Sequence, residues 1–394
     1  MKIVYSLLYL YLLFRPYYFF SSGGLQISDL FLILAFIVFL IAKKNNKSDF
    51  YNEIKENRLF LIFILCTLLI NTVYFLIYNQ FKFILSTIYY VFIFLAIILF
   101  SYSFRNNEKF ISNMERIIKL NLVIQLIFFL TGLGRDYDAQ RYMGTFNDPN
   151  QFAYYILISY SYIYLINIKT RKSKFIWLLI SIFMIIQSSS TGMLMGITAF
   201  TLLDTTTIIK NIAGFLRKNL KSILFILFIG LFIIAIVFLF EVITTRESAI
   251  ISRIKNLNIL KRLEDKISRT KTEDTGAMSI WEERGYDKIY YYPQYMLFGA
   301  GEGFYSRFSK ARHNNEIHAT FPSILFYYGI IPLVVLLNWI YKNIKNEPFN
   351  VKIVYIALFI ESFTLLNQRQ ALFWLIIVLG KYFSKEGRNM ISEK

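Results

Sequence analysis

The chain has 394 residues, of which 56% are hydrophobic and only 17% are charged, and its formal net charge is +18. This apolar share lies well above that of an ordinary soluble domain and predicts an integral membrane protein. A single cysteine, Cys66, excludes an intrachain disulfide and a cysteine-rich metal site.

Apolar runs that approach or exceed about 18 residues recur along most of the chain, and such runs are long enough to cross a bilayer as helices. The sequence therefore predicts an all-α, polytopic membrane protein that forms one domain over residues 1–394. The first run follows Lys2 without a small-residue cleavage site, so we expect a retained helix rather than a signal peptide. About twelve spans are predicted, at 3–20, 26–42, 59–78, 83–103, 117–133, 150–168, 174–188, 190–208, 222–244, 319–341, 351–367 and 370–384.

Lysine and arginine concentrate in alternate connections between these spans. Short basic loops mark the cytoplasmic side, which predicts that both termini are cytoplasmic and that the intervening connections face outward. Loop basicity and contact with anionic lipids account for the net charge. We therefore expect membrane lipids, and no nucleic acid, as partners.

Residues 245–318 form a large extracytoplasmic loop in this scheme. Apolar positions from Ile250 to Ile267 recur at helical spacing and predict a partly buried or interfacial helix. The basic residues of the loop have two interpretations: a solvated amphipathic lid, or a cationic cap that attracts a polyanionic substrate.

The end of this loop contains "GAGEGF" and the only two histidines, His313 and His318. The glycines predict a tight turn, because no strand precedes them as in a dinucleotide-binding motif. His318 falls just before the tenth span, at the water boundary. A free imidazole titrates near pH 6.5, which suits a residue that takes a proton from a hydroxyl, although a structural role is an alternative.

The stretch "RYMGTFNDPN" precedes the sixth span. Asp148 and Asn150 are candidates to cap that helix, with Pro149 in its first turn. The cap leaves Arg141 unexplained. An arginine this close to hydrocarbon either extends to the interface or meets an anion, and its planar guanidinium suits phosphate.

Four blocks in this order, "RYMGTFNDPNQFAYY", "QSSSTGMLMGI", "GAGEGF" and the histidine eleven residues before Gly329 of "YYGIIP", resemble the O-antigen ligase and polymerase family of Wzy and WaaL type. The resemblance spans residues 25–385 but is carried by these short blocks. It implies a GT-C-like membrane glycosyltransferase, independent of metals and cofactors. The implied donor is an undecaprenyl-pyrophosphate-linked oligosaccharide at the outer face of the bacterial cytoplasmic membrane.

The resemblance also implies roles for single residues. Arg141 matches the pyrophosphate-binding arginine of an R-x-x-G-x-x-x-x-x-N block that ends at Asn150, and Arg284 loosely matches a second loop arginine. His318 matches the activating histidine. The family commonly has asparagine after that histidine, whereas this chain has Ala319, and the "HN" pair occurs instead at His313, which leaves the register open between the two histidines.

The implied reaction is a single inverting displacement. His318 takes the proton of the attacking hydroxyl, while Arg141 and one of Arg284, Arg307 or Arg369 offset the charge on the departing pyrophosphate. Metal binding by the D-x-D spacing of Asp136 and Asp138 is a competing interpretation of a two-residue pattern that is common in loops. Glu361 and Arg369 are further polar groups near the eleventh span; they either pair or line an acceptor cavity.

Three functions remain open from the sequence. A polysaccharide polymerase for O-antigen, capsule or exopolysaccharide is our prediction, with a chain-length regulator as a further partner. A ligase that moves glycan onto a lipid core or protein uses the same donor chemistry. A lipid-linked oligosaccharide flippase also has about twelve helices and charged cavity residues.

Overall fold

The computed structural model describes residues 1–20, 26–43, 48–138, 141–168, 171–216, 279–312 and 315–383, and these are mostly helical. The all-α prediction is therefore confirmed as a fold class. The predicted span 222–244, the predicted helix over 250–267 and His313 lie outside the described residues.

The elements in chain order are α1 Lys2–Phe14, α2 Ile27–Ala42, α3 Ser48–Glu56, α4 Arg58–Tyr78, α5 Lys82–Asn106, α6 Glu108–Thr131, β1 Arg135–Tyr137, β2 Arg141–Gly144, α7 Pro149–Ile166, α8 Arg171–Ser188, α9 Thr191–Leu216, α10 Ile280–Glu283, α11 Asp287–Tyr291, α12 Tyr295–Phe298, α13 Thr320–Tyr328, α14 Ile330–Ile344, α15 Phe349–Ser362 and α16 Ala371–Phe383. A 3₁₀ turn covers Tyr305–Arg307.

Helices α4 and α5 are long and apolar enough to cross a membrane, judged by length and composition within the described part of the chain. Shorter apolar helices lie near several other predicted spans, among them α1, α2 and α14. The described residues thus support membrane association through two helices.

Helix α5 is largely buried and packs against α2, α3, α4, α6 and α16. It has 25 residues, which corresponds to a length of about 37 Å. Phe83, in its first turn, contacts the backbone of Gly303 closely. Arg105, in its last turn, forms ion pairs with Glu53 at 3.3 Å and Glu56 at 2.8 Å. Connections predicted to face opposite sides of the membrane therefore gather at opposite ends of α5.

The tenth predicted span is broken at Gly329, so the prediction of one continuous helix over 319–341 was wrong. Gly329 has a φ of 79°, and a Cβ atom there would lie 2.5 Å from the Leu297 carbonyl oxygen and 2.9 Å from the Gly299 nitrogen. Only glycine allows this backbone shape and this close approach. The break separates α13 from α14 and holds the segment 299–303, which we call the glycine turn, against α13.

Two glycines on α9 bring this helix close to α15 and to the connection that follows it. A Cβ atom at Gly192 would overlap the Thr364 hydroxyl, and one at Gly196 would lie 3.3 Å from Glu361 Cβ and 3.4 Å from the Ala357 carbonyl oxygen. Small residues four positions apart allow helix backbones to approach in this way.

A short antiparallel hairpin, which helical periodicity does not predict, joins α6 to α7. Its second strand places Arg141 opposite Tyr137. Tyr142 is buried and packs edge-to-face against Phe129 at 5.0 Å and Phe152 at 5.2 Å. These aromatic contacts fix the strand that carries Arg141.

Gly329→Ala should destabilise the protein more than Gly132→Ala. Both glycines have a φ near 74–79°, but nothing lies within 4 Å of a Cβ built at Gly132. Gly132, at φ 74° and ψ 7°, has the left-handed helical conformation that alanine adopts at a cost of ~1–2 kcal/mol, whereas Gly329, at φ 79° and ψ 178°, has a conformation that is essentially restricted to glycine. Gly329→Ala therefore adds the larger backbone strain and also an overlap that costs a further ~1–3 kcal/mol. Thermal unfolding of the detergent-purified variants measures the difference. Equal melting temperatures would contradict the role given to the break.

Candidate functional site

A cavity of about 280 Å³ lies where several connections between helices meet. It is lined by Arg141, Asn150, Ser189, Ser190, Thr191, Gly192, Met193, Glu283, Arg284, His318, Thr364 and Leu365. Four of the five residues predicted for the site are in this lining. They come from the hairpin, the start of α7, the end of α10 and the residue before the α13 N-cap.

Arg141 is oriented by hydrogen bonds to neutral oxygens. Its Nε donates to the Ser188 carbonyl oxygen at 2.9 Å, and its Nη2 donates to Asn150 Oδ1 at 2.9 Å. The Ser190 hydroxyl donates to the same amide oxygen at 3.0 Å. Asn150 therefore joins the hairpin arginine to the turn between α8 and α9.

The predicted helix cap before α7 is confirmed for Asp148, whereas the prediction that Asn150 caps the helix was wrong. The Asp148 carboxylate accepts from the backbone N–H groups of Asn150 at 2.8 Å and Gln151 at 3.0 Å, and Pro149 occupies the first turn. Because Asp148 alone supplies the cap, the side chain of Asn150 remains available for Arg141.

The α9 N-terminus forms one wall of the cavity. The turn before it places Ser189 at a φ of 51°, and Thr191, Gly192 and Met193 line the cavity. The first N–H groups of a helix have no acceptor within the helix, and the helix dipole adds partial positive charge at this end. This wall therefore favours an anion.

Arg284 and His318 are linked by two hydrogen bonds, one between their backbones and one from the Arg284 guanidinium. The His318 N–H donates to the Arg284 carbonyl oxygen at 2.9 Å, and Arg284 Nη1 donates to the carbonyl oxygens of His318 at 3.4 Å and of Thr364. Burial lowers the pKa of the Arg284 guanidinium below its ordinary value. Its two carbonyl acceptors orient the guanidinium without neutralising its charge, since arginine remains protonated in proteins.

Arg369, the fifth predicted residue, lies outside this lining. Its Nη2 forms ion pairs with Glu302 at 2.5 Å and Glu316 at 2.9 Å, and it donates to the Tyr305 hydroxyl at 3.0 Å. Arg307, an alternative in the sequence, donates to the carbonyl oxygens of Ala300 and Gly301. Both arginines therefore stabilise the connections around the glycine turn.

Asp136 and Asp138 are on the hairpin and are not part of the lining. Within the described ranges, no group of three or more histidine, cysteine, aspartate or glutamate residues is arranged to hold a metal ion.

Sequence reasoning missed several lining residues. Ser189 and Ser190 belong to a run of serines between two apolar stretches, which is a signal that polar groups are needed there. Glu283 directly precedes Arg284, a predicted site residue, so its place in the sequence could have identified it. Thr364 and Leu365 carry no such signal, because only the packing of α9 on α15 brings their connection to the cavity.

The cavity combines two guanidinium groups, a helix N-terminus, one carboxylate and one imidazole. This set can bind an anion with several oxygens and place it beside a proton acceptor. No protein-family model matches the chain, and no curated protein sequence is significantly similar to it.

Inorganic pyrophosphate should stabilise the protein by binding in this cavity. Thermal unfolding in detergent should shift upward with ligand concentration, by the equivalent of ~2.7 kcal/mol at a hundred times the dissociation constant. We expect Arg141→Ala and Arg284→Ala to remove the shift.

Arg312→Ala is the matched control, because this arginine is 54% exposed and pairs with Glu282 outside the lining. Its shift should equal that of the unsubstituted chain. A shift that survives both cavity substitutions would place pyrophosphate elsewhere.

Proposed function

We propose that this protein is a membrane glycosyltransferase that polymerises a polysaccharide. It moves glycan from a polyprenyl-pyrophosphate donor to a sugar hydroxyl of a lipid-linked repeat unit. The observation that carries this proposal is the common placement of Arg141, Arg284 and His318. These three residues are far apart in the sequence, and all line one cavity.

The proposed setting is the bacterial cytoplasmic membrane, with about twelve spans, cytoplasmic termini and the cavity on the outer face. Two helices long enough to cross a bilayer support the membrane assignment. The outer position rests on the basic loops. The short connection between α8 and α9, in "QSSSTG", has no lysine or arginine, and the long basic loop does not oppose this orientation because long loops cross the membrane largely regardless of charge. Arg105 and Lys381 cluster with Glu56 at the other end of α5.

In this proposal the donor diphosphate binds between the two cavity arginines and the α9 N-terminus. Two partly desolvated guanidinium groups bind phosphate oxygens strongly, because water competes less and each can donate two parallel hydrogen bonds. Asn150 and Thr364 accept from these arginines and hold them in place before the substrate arrives. Such preorganised charge stabilises the leaving group as its negative charge grows.

His318 is the proposed base. The acceptor hydroxyl oxygen attacks the anomeric carbon, its proton passes to the imidazole, and the bond from that carbon to the diphosphate oxygen breaks. The lipid diphosphate departs with the bonding electron pair and remains paired with Arg141 and Arg284. One displacement inverts the configuration of the anomeric carbon.

A ligase that transfers finished glycan to a lipid core or protein would use the same donor site. The two functions differ only in the acceptor. A flippase is the third alternative, which Glu361 favours as an ionisable group within a predicted span: the residue is fully buried in α15, and its Oε1 accepts from Asn367.

Glycan made by cells that lack the protein separates these functions. A polymerase predicts that single repeat units are still delivered while the ladder of longer chains disappears. Polymer that persists on its lipid carrier, without transfer to the final acceptor, would indicate a ligase. Lipid-linked units that accumulate on the cytoplasmic face would indicate a flippase.

Arg141→Ala and His318→Ala should each abolish polymer without lowering the amount of protein in the membrane. The first removes a diphosphate contact and the second removes the base. Lys310→Ala removes an exposed cation from the same loop as His318, outside the cavity lining, and this control should leave the polymer unchanged. Wild-type chain length and yield in both cavity variants would refute these roles.

His313→Ala tests the register of the histidine match and should have a milder effect than His318→Ala. His318 lines the cavity and lies eleven residues before Gly329, the spacing that favours it as the matched histidine. If His313→Ala lost most of the polymer while His318→Ala kept it, His313 rather than His318 would be the activating histidine.

A further inference from the structure

Trp281 is unusual among the tryptophans because 65% of its surface is exposed. Trp339 and Trp374 are fully buried, with 1% and 0% of their surfaces exposed. Trp281 lies in α10, two positions before Glu283 and three before Arg284, both of which line the cavity. The exposed ring is thus attached to the segment that forms the cavity wall.

Contacts hold this ring at the rim of the cavity. Trp281 packs edge-to-face on Tyr286, with ring centroids 5.2 Å apart and an interplanar angle of 79°. The Tyr286 hydroxyl donates to the Phe363 carbonyl oxygen at 3.1 Å. Phe363 is 56% exposed and precedes Thr364 of the lining. We call these three residues, Trp281, Tyr286 and Phe363, the aromatic rim.

The charge around the rim argues for a hydrated ligand rather than lipid. Trp281 is followed by two glutamates, and Glu282 forms an ion pair with the exposed Arg312 at 3.5 Å. By contrast, the exposed Leu297 and Phe298 of α12 are adjacent in sequence. A bilayer would accept an apolar pair of this kind more readily than a ring that is followed directly by two carboxylates.

The face of an aromatic ring carries partial negative charge, and the C–H groups on one face of a pyranose carry partial positive charge. An exposed, fixed indole beside polar groups therefore stacks well against a sugar ring whose hydroxyls bond to neighbouring carboxylates and water. Tyr286 contributes by limiting the orientations of Trp281, which reduces the entropy that binding must overcome.

We propose that the aromatic rim is a sugar-binding subsite, in which Trp281 stacks on a pyranose ring of the glycan at the mouth of the cavity. The subsite rests on the proposed function, because it assigns to the same cavity a position for the sugar next to the reacting one. Its ligand class is a hydroxyl-rich pyranose, a hexose or hexosamine unit of the glycan.

The test uses the full chain with Trp281→Ala, Trp281→Phe and Tyr290→Ala. Tyr290 is the matched control, because it is an aromatic residue of the same loop, 80% exposed, and outside the cavity lining. The first readout is the length ladder of polymer made in cells. The second is binding of short oligosaccharides, prepared by partial hydrolysis of that polymer, to the purified protein.

Trp281→Ala should shorten the polymer and weaken oligosaccharide binding about tenfold, whereas Trp281→Phe should restore most of the binding and Tyr290→Ala should change neither. The pyrophosphate-induced stabilisation should persist in all three variants, which separates the subsite from the diphosphate site and from a folding defect.

Two results would overturn the subsite while leaving the proposed function intact. One is a Trp281→Ala variant that behaves as Tyr290→Ala does in both readouts. The other is quenching of the Trp281 fluorescence by brominated lipid acyl chains in vesicles, which would place the ring in the bilayer. Polymer that is unchanged in cells lacking the whole protein would instead refute the proposed function.

Discussion

A buried carboxylate, Glu302, connects the segments on which the cavity depends. Its Oε1 accepts from Gln368 at 2.8 Å and Arg369 at 2.5 Å, and its Oε2 accepts from the Tyr328 hydroxyl at 2.5 Å. Removing one partner from such a buried pair costs about 3–5 kcal/mol, because the other charge remains desolvated. These bonds therefore link the glycine turn to α13 and to the connection after α15. The same connection contains Thr364 and Leu365, which line the cavity.

The cavity is consequently built from connections that rigid helices hold in place. Close packing of α9 on α15 presents the α9 N-terminus to the same space as Thr364, whose carbonyl oxygen orients Arg284. In the same way, the Asn150 side chain in α7 accepts from Arg141 of the hairpin and orients its guanidinium. Guanidinium groups held in place by such hydrogen bonds are suited to stabilising a diphosphate as it departs, because little reorganisation is needed during the reaction.

Interactions between residues close in the sequence could be predicted, whereas contacts between residues far apart in the chain could not. The cap at Asp148 follows from residue type and position alone, and the prediction that Arg141 and His318 share the outer face rests on hydropathy and loop charge. The break at Gly329 was missed, because its cause is the approach of a distant backbone rather than a polar interruption. Arg369 was predicted to bind substrate because the sequence does not show its ion-pair partners. These are Glu302 and Glu316, which lie more than fifty positions earlier in the chain.

We propose that a guanidinium from the hairpin and an imidazole from the end of the long loop face one water-filled space outside the membrane. Replacing Cys66 gives a cysteine-free chain, into which Arg141→Cys and His318→Cys can be introduced together. We predict that a membrane-impermeant thiol reagent applied from outside labels both positions, and that a short bifunctional reagent joins them. Labelling of the two positions from opposite faces of the bilayer would contradict the account.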